Sequence, residues 1–134
     1  MRKMIDTNVI VSAILFPNSL PCTLIKSISS RHKIILCTHI IEELYEIFER
    51  KFKRKTKALE TFLSELAYEL VYTPQNIDKD NYPIIRDEKD FPILVSAIIG
   101  IADVIITGDK DFLEADVEYP IIMTAREFEE KDSV

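Results

Sequence analysis

Two aspartates in this chain each follow a short apolar run. Asp6 ends the run over residues 4–5, and Asp109 follows the run over residues 104–107. A short apolar run that breaks into Gly, Asn or Asp is typical of a buried strand leaving a sheet. In open α/β sheets, ligands bind outside the carboxyl ends of the strands. Two carboxylates delivered to that edge indicate a cation site, and therefore a metal-dependent reaction.

A third acid can be placed by helical geometry. The apolar residues between 39 and 52 form one stripe around Leu44 at about 100° per residue, which predicts an amphipathic helix. Glu43 lies at the edge of this stripe and is placed to approach the interior. The remaining acids of the helix point away from the stripe: Glu42, Glu46 and Glu49. Two further acids, Asp87 and Asp90, precede a helix predicted to open at Pro92.

Each of these acids also has an ordinary structural interpretation. Glu43 could be a solvated helix-edge residue, and Asp6 a loop residue or N-cap. Asp109 and Asp111 could form a turn, and Asp90 could cap its helix. Their joint occurrence at one edge of a predicted sheet favours a cation site. Carboxylates are hard oxygen ligands, so the set favours Mg²⁺ or Mn²⁺ over zinc.

Composition limits the possible classes of protein. The 134 residues are 47% hydrophobic and 30% charged, which predicts one soluble globular domain over residues 1–134. Cys22 and Cys37 lack metal-type spacing, and His32 and His39 are interpreted as surface residues. The sequence has no Walker loop, dinucleotide fingerprint or Ser-His-Asp set. No apolar run approaches membrane-spanning length and no secretory signal is recognisable, so the cytoplasm is the expected compartment.

The net charge of −6 opposes nucleic-acid binding, so such a function needs a local basic patch. One run supplies six cations within eight residues: Arg50, Lys51, Lys53, Arg54, Lys55 and Lys57. These side chains could contact phosphates. The alternative is a solvated helix end and loop.

Strands and helices alternate along the chain, which predicts a parallel sheet covered by helices on both faces. Strands are predicted at residues 2–5, 33–38, 69–72, 103–107 and 119–123. Helices are predicted at residues 8–16, 21–30, 39–52, 57–68 and 92–100. Thr38 is a predicted N-cap, and residues 124–127 form a predicted capping box for a last helix.

The order of these motifs resembles the PIN-domain ribonucleases, particularly the VapC-like toxins of toxin–antitoxin systems. The resemblance rests on four motifs: Asp6-Thr7-Asn8, Thr38 with Glu43-Leu44, Asp90 before the helix reaching Ala97, and Thr107-Gly-Asp109. It implies a three-layer α/β/α sandwich with a central parallel sheet of about 4–5 strands. It also implies a Mg²⁺- or Mn²⁺-dependent endoribonuclease, the toxin of a type II pair, with a small antitoxin partner and a homodimeric state.

The resemblance also assigns site roles to individual residues of this chain. The resemblance implies that Asp6, Glu43, Asp90 and Asp109 are the catalytic and metal-binding acids. Asp111 is an alternative to Asp109 as the last ligand, and Asp87 could support a ligand. Thr7, Asn8 and Thr107 would orient carboxylates or waters. Two rivals remain: a Mg²⁺-dependent phosphotransfer or phosphatase domain, and a PIN fold kept as a non-catalytic binding module.

Overall fold

The computed structural model describes residues 1–83, 85 and 87–132 of the chain. Within these residues, five strands form one sheet in the order β3-β2-β1-β4-β5, and every neighbouring pair is parallel. The strands are β1 Arg2–Ile5, β2 Lys33–Cys37, β3 Tyr68–Val71, β4 Val104–Ile106 and β5 Ile121–Met123.

Seven α-helices connect and cover the strands in the described ranges, giving the three-layer α/β/α architecture. They are α1 Thr7–Leu15, α2 Leu20–Arg31, α3 Thr38–Lys51, α4 Thr56–Glu65, α5 Phe91–Ile99, α6 Lys110–Leu113 and α7 Ala125–Asp132. Short 3₁₀ turns occupy Lys53–Lys55 and Lys79–Asn81. The predicted fold class is confirmed.

The core lies along the three central strands. Met4, Ile35 and Ile105 are fully buried, as expected for strands covered on both faces. The edge strands are more open, since Leu70 of β3 and Ile121 of β5 are exposed. No single helix among the described residues is long and apolar enough to cross a membrane. Helices α1 and α2 pass that test of length and composition only as a pair bent by 109°.

Three local predictions are corrected by the structure. The helix predicted over residues 57–68 ends at Glu65, and Tyr68 begins β3. Thr38 is the first residue of α3, and Cys37 is the N-cap. The Thr38 Oγ1 accepts a hydrogen bond from the Thr73 amide (2.9 Å). Helix α6 follows Asp109, where the sequence predicted no helix and a turn was the alternative to a cation site.

The capping box before α7 is confirmed. The Glu127 amide donates to Thr124 Oγ1 at 3.0 Å, and the Thr124 amide donates to Glu127 Oε1 at 3.3 Å. This reciprocal pair satisfies two donors that the helix leaves without an internal partner.

The register of the central strands aligns their carboxyl ends. Ile5 of β1 pairs with Ile106 of β4, so Asp6 and Thr107 emerge side by side. The Asp6 amide donates to the Ile106 carbonyl at 2.9 Å and continues the ladder past the last strand residue. The sheet therefore delivers both residues to one edge.

Helix α5 ends in a Schellman motif whose left-handed residue is not glycine. Ile101 has φ 56°, the Ala102 amide donates to the Ala97 carbonyl (2.8 Å), and the Ile101 amide donates to the Ile98 carbonyl (3.1 Å). The neighbouring Gly100 has an ordinary φ of −78°. The β-branched residue therefore occupies the strained position, at a cost of about 1–2 kcal/mol.

We expect Ile101→Gly to raise the free energy of unfolding by about 1 kcal/mol, because it relieves this strain. Loss of the side chain costs little, since Ile101 is mostly exposed. Gly100→Ala should have the opposite effect, since a Cβ there would lie 2.7 Å from Val71 Cγ2. Urea unfolding monitored by circular dichroism measures both changes. A destabilised Ile101→Gly protein would contradict the assignment of strain.

Candidate functional site

Asp6 anchors the site at the carboxyl end of β1. It is 4% exposed and forms the N-cap of α1, with Oδ1 accepting from the Thr7 amide at 2.8 Å. Its other oxygen, Oδ2, accepts from Thr107 Oγ1 at 2.6 Å. The ordinary N-cap role and a role in the site are therefore compatible, and the carboxylate is held in one orientation.

Glu43 joins the site from α3 through Thr7. The Thr7 hydroxyl donates to Glu43 Oε1 at 2.8 Å, and the Glu43 side chain is half-buried. The three other glutamates of the helix, Glu42, Glu46 and Glu49, are exposed. Glu43 thus approaches the interior, as its helical angle predicted.

Asp109 is attached to the same network through Thr107. Its amide donates to Thr107 Oγ1 at 3.0 Å, so one hydroxyl bridges Asp6 and Asp109. Asp109 Oδ1 accepts from the Asp111 amide at 2.9 Å and caps α6. Buried Thr7 and Thr107 therefore link Glu43, Asp6 and Asp109 in one continuous chain of hydrogen bonds.

The three aspartates Asp87, Asp90 and Asp109 form the tightest acidic group of the site. One carboxylate oxygen from each lies within 4.8 Å of the other two. Asp90 does not act as a side-chain cap of α5, and its Oδ2 is buried without a hydrogen-bond partner among the described residues. A buried unpartnered carboxylate oxygen is costly unless a proton or a cation satisfies it.

Burial and mutual repulsion also raise the pKa values of two acids in the site. Burial raises the pKa of Asp90 to about 8, with the charges of Asp109 and Asp6 adding to the effect. Burial also raises the pKa of Asp6, against the hydrogen bonds from Thr107 and Thr7 that lower it. Without a counter-ion, these carboxyls hold protons at a pH where isolated aspartates are ionised.

The donor set fits a hard divalent cation. Every group in the cluster is a carboxylate, and an ion among Asp87, Asp90 and Asp109 would satisfy the unpartnered oxygen and offset the mutual repulsion. The structure groups Asp109, and not Asp111, with Asp90. Asp111 instead supports Asp109 through its backbone amide. Asp87, which the sequence placed only as a neighbour, belongs to this group.

A cavity of about 600 Å³ adjoins the acids along α3, and we call it the α3 cavity. Asn8 and Glu43 line it near the acids, and Arg50 and Lys51 line it at the end of α3. Sequence reasoning did not assign its third cation, Lys89, although adjacency to Asp90 was a usable signal.

The rest of the predicted basic patch lies away from this cavity. Lys53, Arg54 and Lys55 form an exposed 3₁₀ turn, where Lys53 Nζ lies 3.6 Å from Glu49 Oε1. Lys57 lines a separate groove beside α1 and α2. The structure therefore places two of the six predicted phosphate-binding cations in the cavity that Glu43 also lines.

Two other polar residues are placed differently from expectation. His39 was interpreted as a surface residue, but it is half-buried, lines the α3 cavity and holds Nε2 at 3.6 Å from Glu43 Oε1. Its position four residues before Glu43 on one helix was the available signal. Asn8 is exposed, and within the described chain its side chain forms no hydrogen bond to a carboxylate.

Comparisons with known proteins agree with this fold. A family model described as PIN domain matches residues 2–111. Comparison with curated proteins gives no significant match. Among solved structures, one match is the crystal structure of VapBC2 from Rickettsia felis bound to a DNA fragment from their promoter. The matched chain is 20% identical with a TM-score of 0.66, and the alignment covers 92% of the present chain and 97% of that one.

Proposed function

The chain belongs to the PIN domain family, and on that premise we propose that it is a Mg²⁺- or Mn²⁺-dependent endoribonuclease, the toxin of a type II toxin–antitoxin pair. The observation that carries the proposal is the convergence of Asp87, Asp90 and Asp109 around a buried carboxylate oxygen that has no partner among the described residues. Such a group is unfavourable in a purely structural site and suits a cation-binding one.

Asp6, Glu43, Asp90 and Asp109 would hold the cation, with Asp87 as a fifth carboxylate beside Asp90 and Asp109. When bound, a divalent cation supplies Lewis-acid stabilisation of the negative charge that develops on a phosphodiester. The chain's own task is to hold its carboxylates in place before the substrate arrives. Thr7 and Thr107 perform that task, since each donates its hydroxyl to one carboxylate and also bonds to the backbone or side chain of a second acid.

The hydrogen bonds of Asp6 argue against the phosphotransfer rival. An aspartate that accepts phosphate must expose a carboxylate oxygen to the incoming phosphoryl donor. Both oxygens of Asp6 accept hydrogen bonds, and the residue is 4% exposed. These contacts suit a fixed ligand better than a nucleophile.

A cleavage assay with the Asp6→Asn protein tests the proposal. We expect the wild type to cleave RNA with Mg²⁺ or Mn²⁺ and to lose activity in EDTA. Asp6→Asn should be at least about 100-fold slower, because it removes a charge that the cation requires. Glu42→Gln is the matched control, since Glu42 is exposed on α3 beside Glu43. Equal cleavage by wild type and Asp6→Asn after identical purification would sink the proposal.

The partner proposals need their own test. We propose that a small antitoxin protein binds this chain and blocks cleavage, and that the chain forms a homodimer. Co-expression with the product of an adjacent small reading frame should yield a complex that lacks cleavage activity. Light scattering of the isolated chain measures the oligomeric state. A monomer with no inhibitory partner would leave a nuclease that is not a toxin of this type.

A further inference from the structure

A second cavity lies on the other side of Asn8 from the α3 cavity. It has a volume of about 400 Å³, and we call it the Gly108 cavity. Thr107, Gly108 and Arg126 contribute to its lining, and Asn8 lines both cavities. The two therefore adjoin at Asn8, two residues after Asp6. On the premise of the proposed function, we propose that a single RNA strand crosses from one cavity to the other over Asn8. Cations on both sides of the acids then bind its phosphates.

The α3 cavity offers two cations that are available to a ligand. Lys51 and Lys89 are exposed, and neither forms an ion pair within the part of the chain that the structure describes. They come from different elements, the last turn of α3 and the turn before α5. The Lys89 amide donates to Asp87 Oδ1 at 2.9 Å, so one turn places both an acid of the cluster and a cation of the cavity.

The Gly108 cavity has one cation without an ion-pair partner among the described residues, and open space beside Gly108. Arg126 is exposed in the first turn of α7 and has no ion-pair partner among the described residues. A Cβ built on Gly108 would meet no atom within 4 Å, and its φ lies outside the left-handed region. A side chain there would fit the backbone but occupy space in the cavity, so the missing side chain keeps this flank open.

The depth of the acids favours a single strand over a duplex. Asp6 is 4% exposed and Asp90 is 6% exposed, and the three other acids of the site are half-buried. A phosphate must therefore enter a recess to reach Asp6 and Asp90. A single strand can bend its backbone into such a recess. A duplex holds its phosphates on a rigid A-form helix, which would rest on the rim of the two cavities.

Binding of a labelled RNA tests the path without requiring cleavage. The probe is a fluorescein-labelled, unstructured RNA of about 12 nucleotides, measured by anisotropy at about 50 mM and about 200 mM salt. The protein carries Asp90→Asn so that the RNA stays intact. To this background we add Lys51→Glu, Lys89→Glu, Arg126→Glu or Gly108→Leu. Lys26→Glu is the control, since Lys26 is exposed on α2 and lines neither cavity.

We expect each charge reversal to weaken binding by about tenfold and to reduce the salt slope by about 1, as for loss of one phosphate contact. Gly108→Leu should weaken binding without changing the salt slope, because it blocks space and removes no charge. Lys26→Glu should stay within about twofold of the background. The same RNA annealed to its complement should bind at least about tenfold more weakly.

Several results would overturn the path. They are equal binding by all variants, a loss for Lys26→Glu as large as for Lys51→Glu, tight binding of the duplex, or an effect on one flank only. Any variant that melts below the background is replaced by the neutral form, Lys→Gln or Arg→Gln, or by Gly108→Ala. If the wild type fails to cleave RNA while the binding pattern holds, the proposed function fails and the path stands.

Discussion

Replacing Asp90 with asparagine should stabilise the metal-free protein at neutral and alkaline pH while reducing RNA cleavage by about 10²–10³-fold. The two effects have one origin. The carboxyl of Asp90 is buried, one oxygen has no partner among the described residues, and Asp87 and Asp109 lie within 4.8 Å. Asparagine keeps the shape and removes the charge, so it removes the repulsion and also the group that a cation needs.

The expected gain in the free energy of unfolding is about 1–3 kcal/mol near pH 8 in EDTA, the usual cost of an unsatisfied buried polar group. Near pH 5 the gain should be much smaller, because the unfolded chain then comes closer to the pH at which its Asp90 also keeps a proton. Urea unfolding in EDTA at both pH values measures the stability, and the RNA assay with Mg²⁺ measures the activity. A variant that is less stable at pH 8, or that retains full cleavage, would contradict this account.

Asp103 is the matched control because it is a well-partnered aspartate at the opposite end of β4. It accepts a hydrogen bond from the Arg2 amide at 2.7 Å and another from the Tyr119 hydroxyl. The Arg2 hydrogen bond, followed by that from Tyr119, lowers the pKa of Asp103. We therefore expect Asp103→Asn to destabilise the protein and to leave cleavage unchanged, the reverse of the Asp90 result on both measurements.

The sequence predicted the elements whose signals are local. Buried parallel strands are continuous apolar runs, so the three central strands stand out from their neighbours. Helix α6 has only four residues, so it is too short for hydrophobic periodicity to reveal it. Its start depends on the Asp109 cap. The prediction extended α4 past Glu65 because Leu66 continues its apolar spacing. In the structure the chain turns there into the edge strand β3.

The site residues divide by the same criterion. Asp6 and Asp109 come just after predicted strands, and the helical angle of Glu43 places it at the edge of an apolar stripe. All three could therefore be placed from their neighbours in the sequence. Asp87 and Lys89 lie in a segment without periodicity. Their positions depend on how the turn before α5 packs beside the sheet edge, which only the folded structure gives. Whether Asp109 or Asp111 joins the acidic group depends on which of them caps α6.

A divalent cation should remove most of the pH dependence of stability. The pKa of Asp90 is about 8 in the folded chain and about 3.9 in an unfolded one, and burial raises that of Asp6 as well. Between about pH 4 and pH 8 the unfolded chain has released protons that the folded chain keeps. In EDTA the stability is therefore greatest at the acid end of this window and falls as the pH rises.

A cation that binds the ionised carboxylates competes with those protons, so its stabilisation grows as the pH rises. Melting temperatures with saturating Mn²⁺ should therefore stay nearly constant from about pH 5 to about pH 8, where those in EDTA fall. Asp90→Asn should flatten the EDTA profile and lose most of the Mn²⁺ effect, whereas the exposed-site control Glu42→Gln should follow the wild type. Parallel profiles with and without Mn²⁺ would mean that the acidic group binds no cation. A shift that survives Asp90→Asn would place the ion elsewhere on the chain.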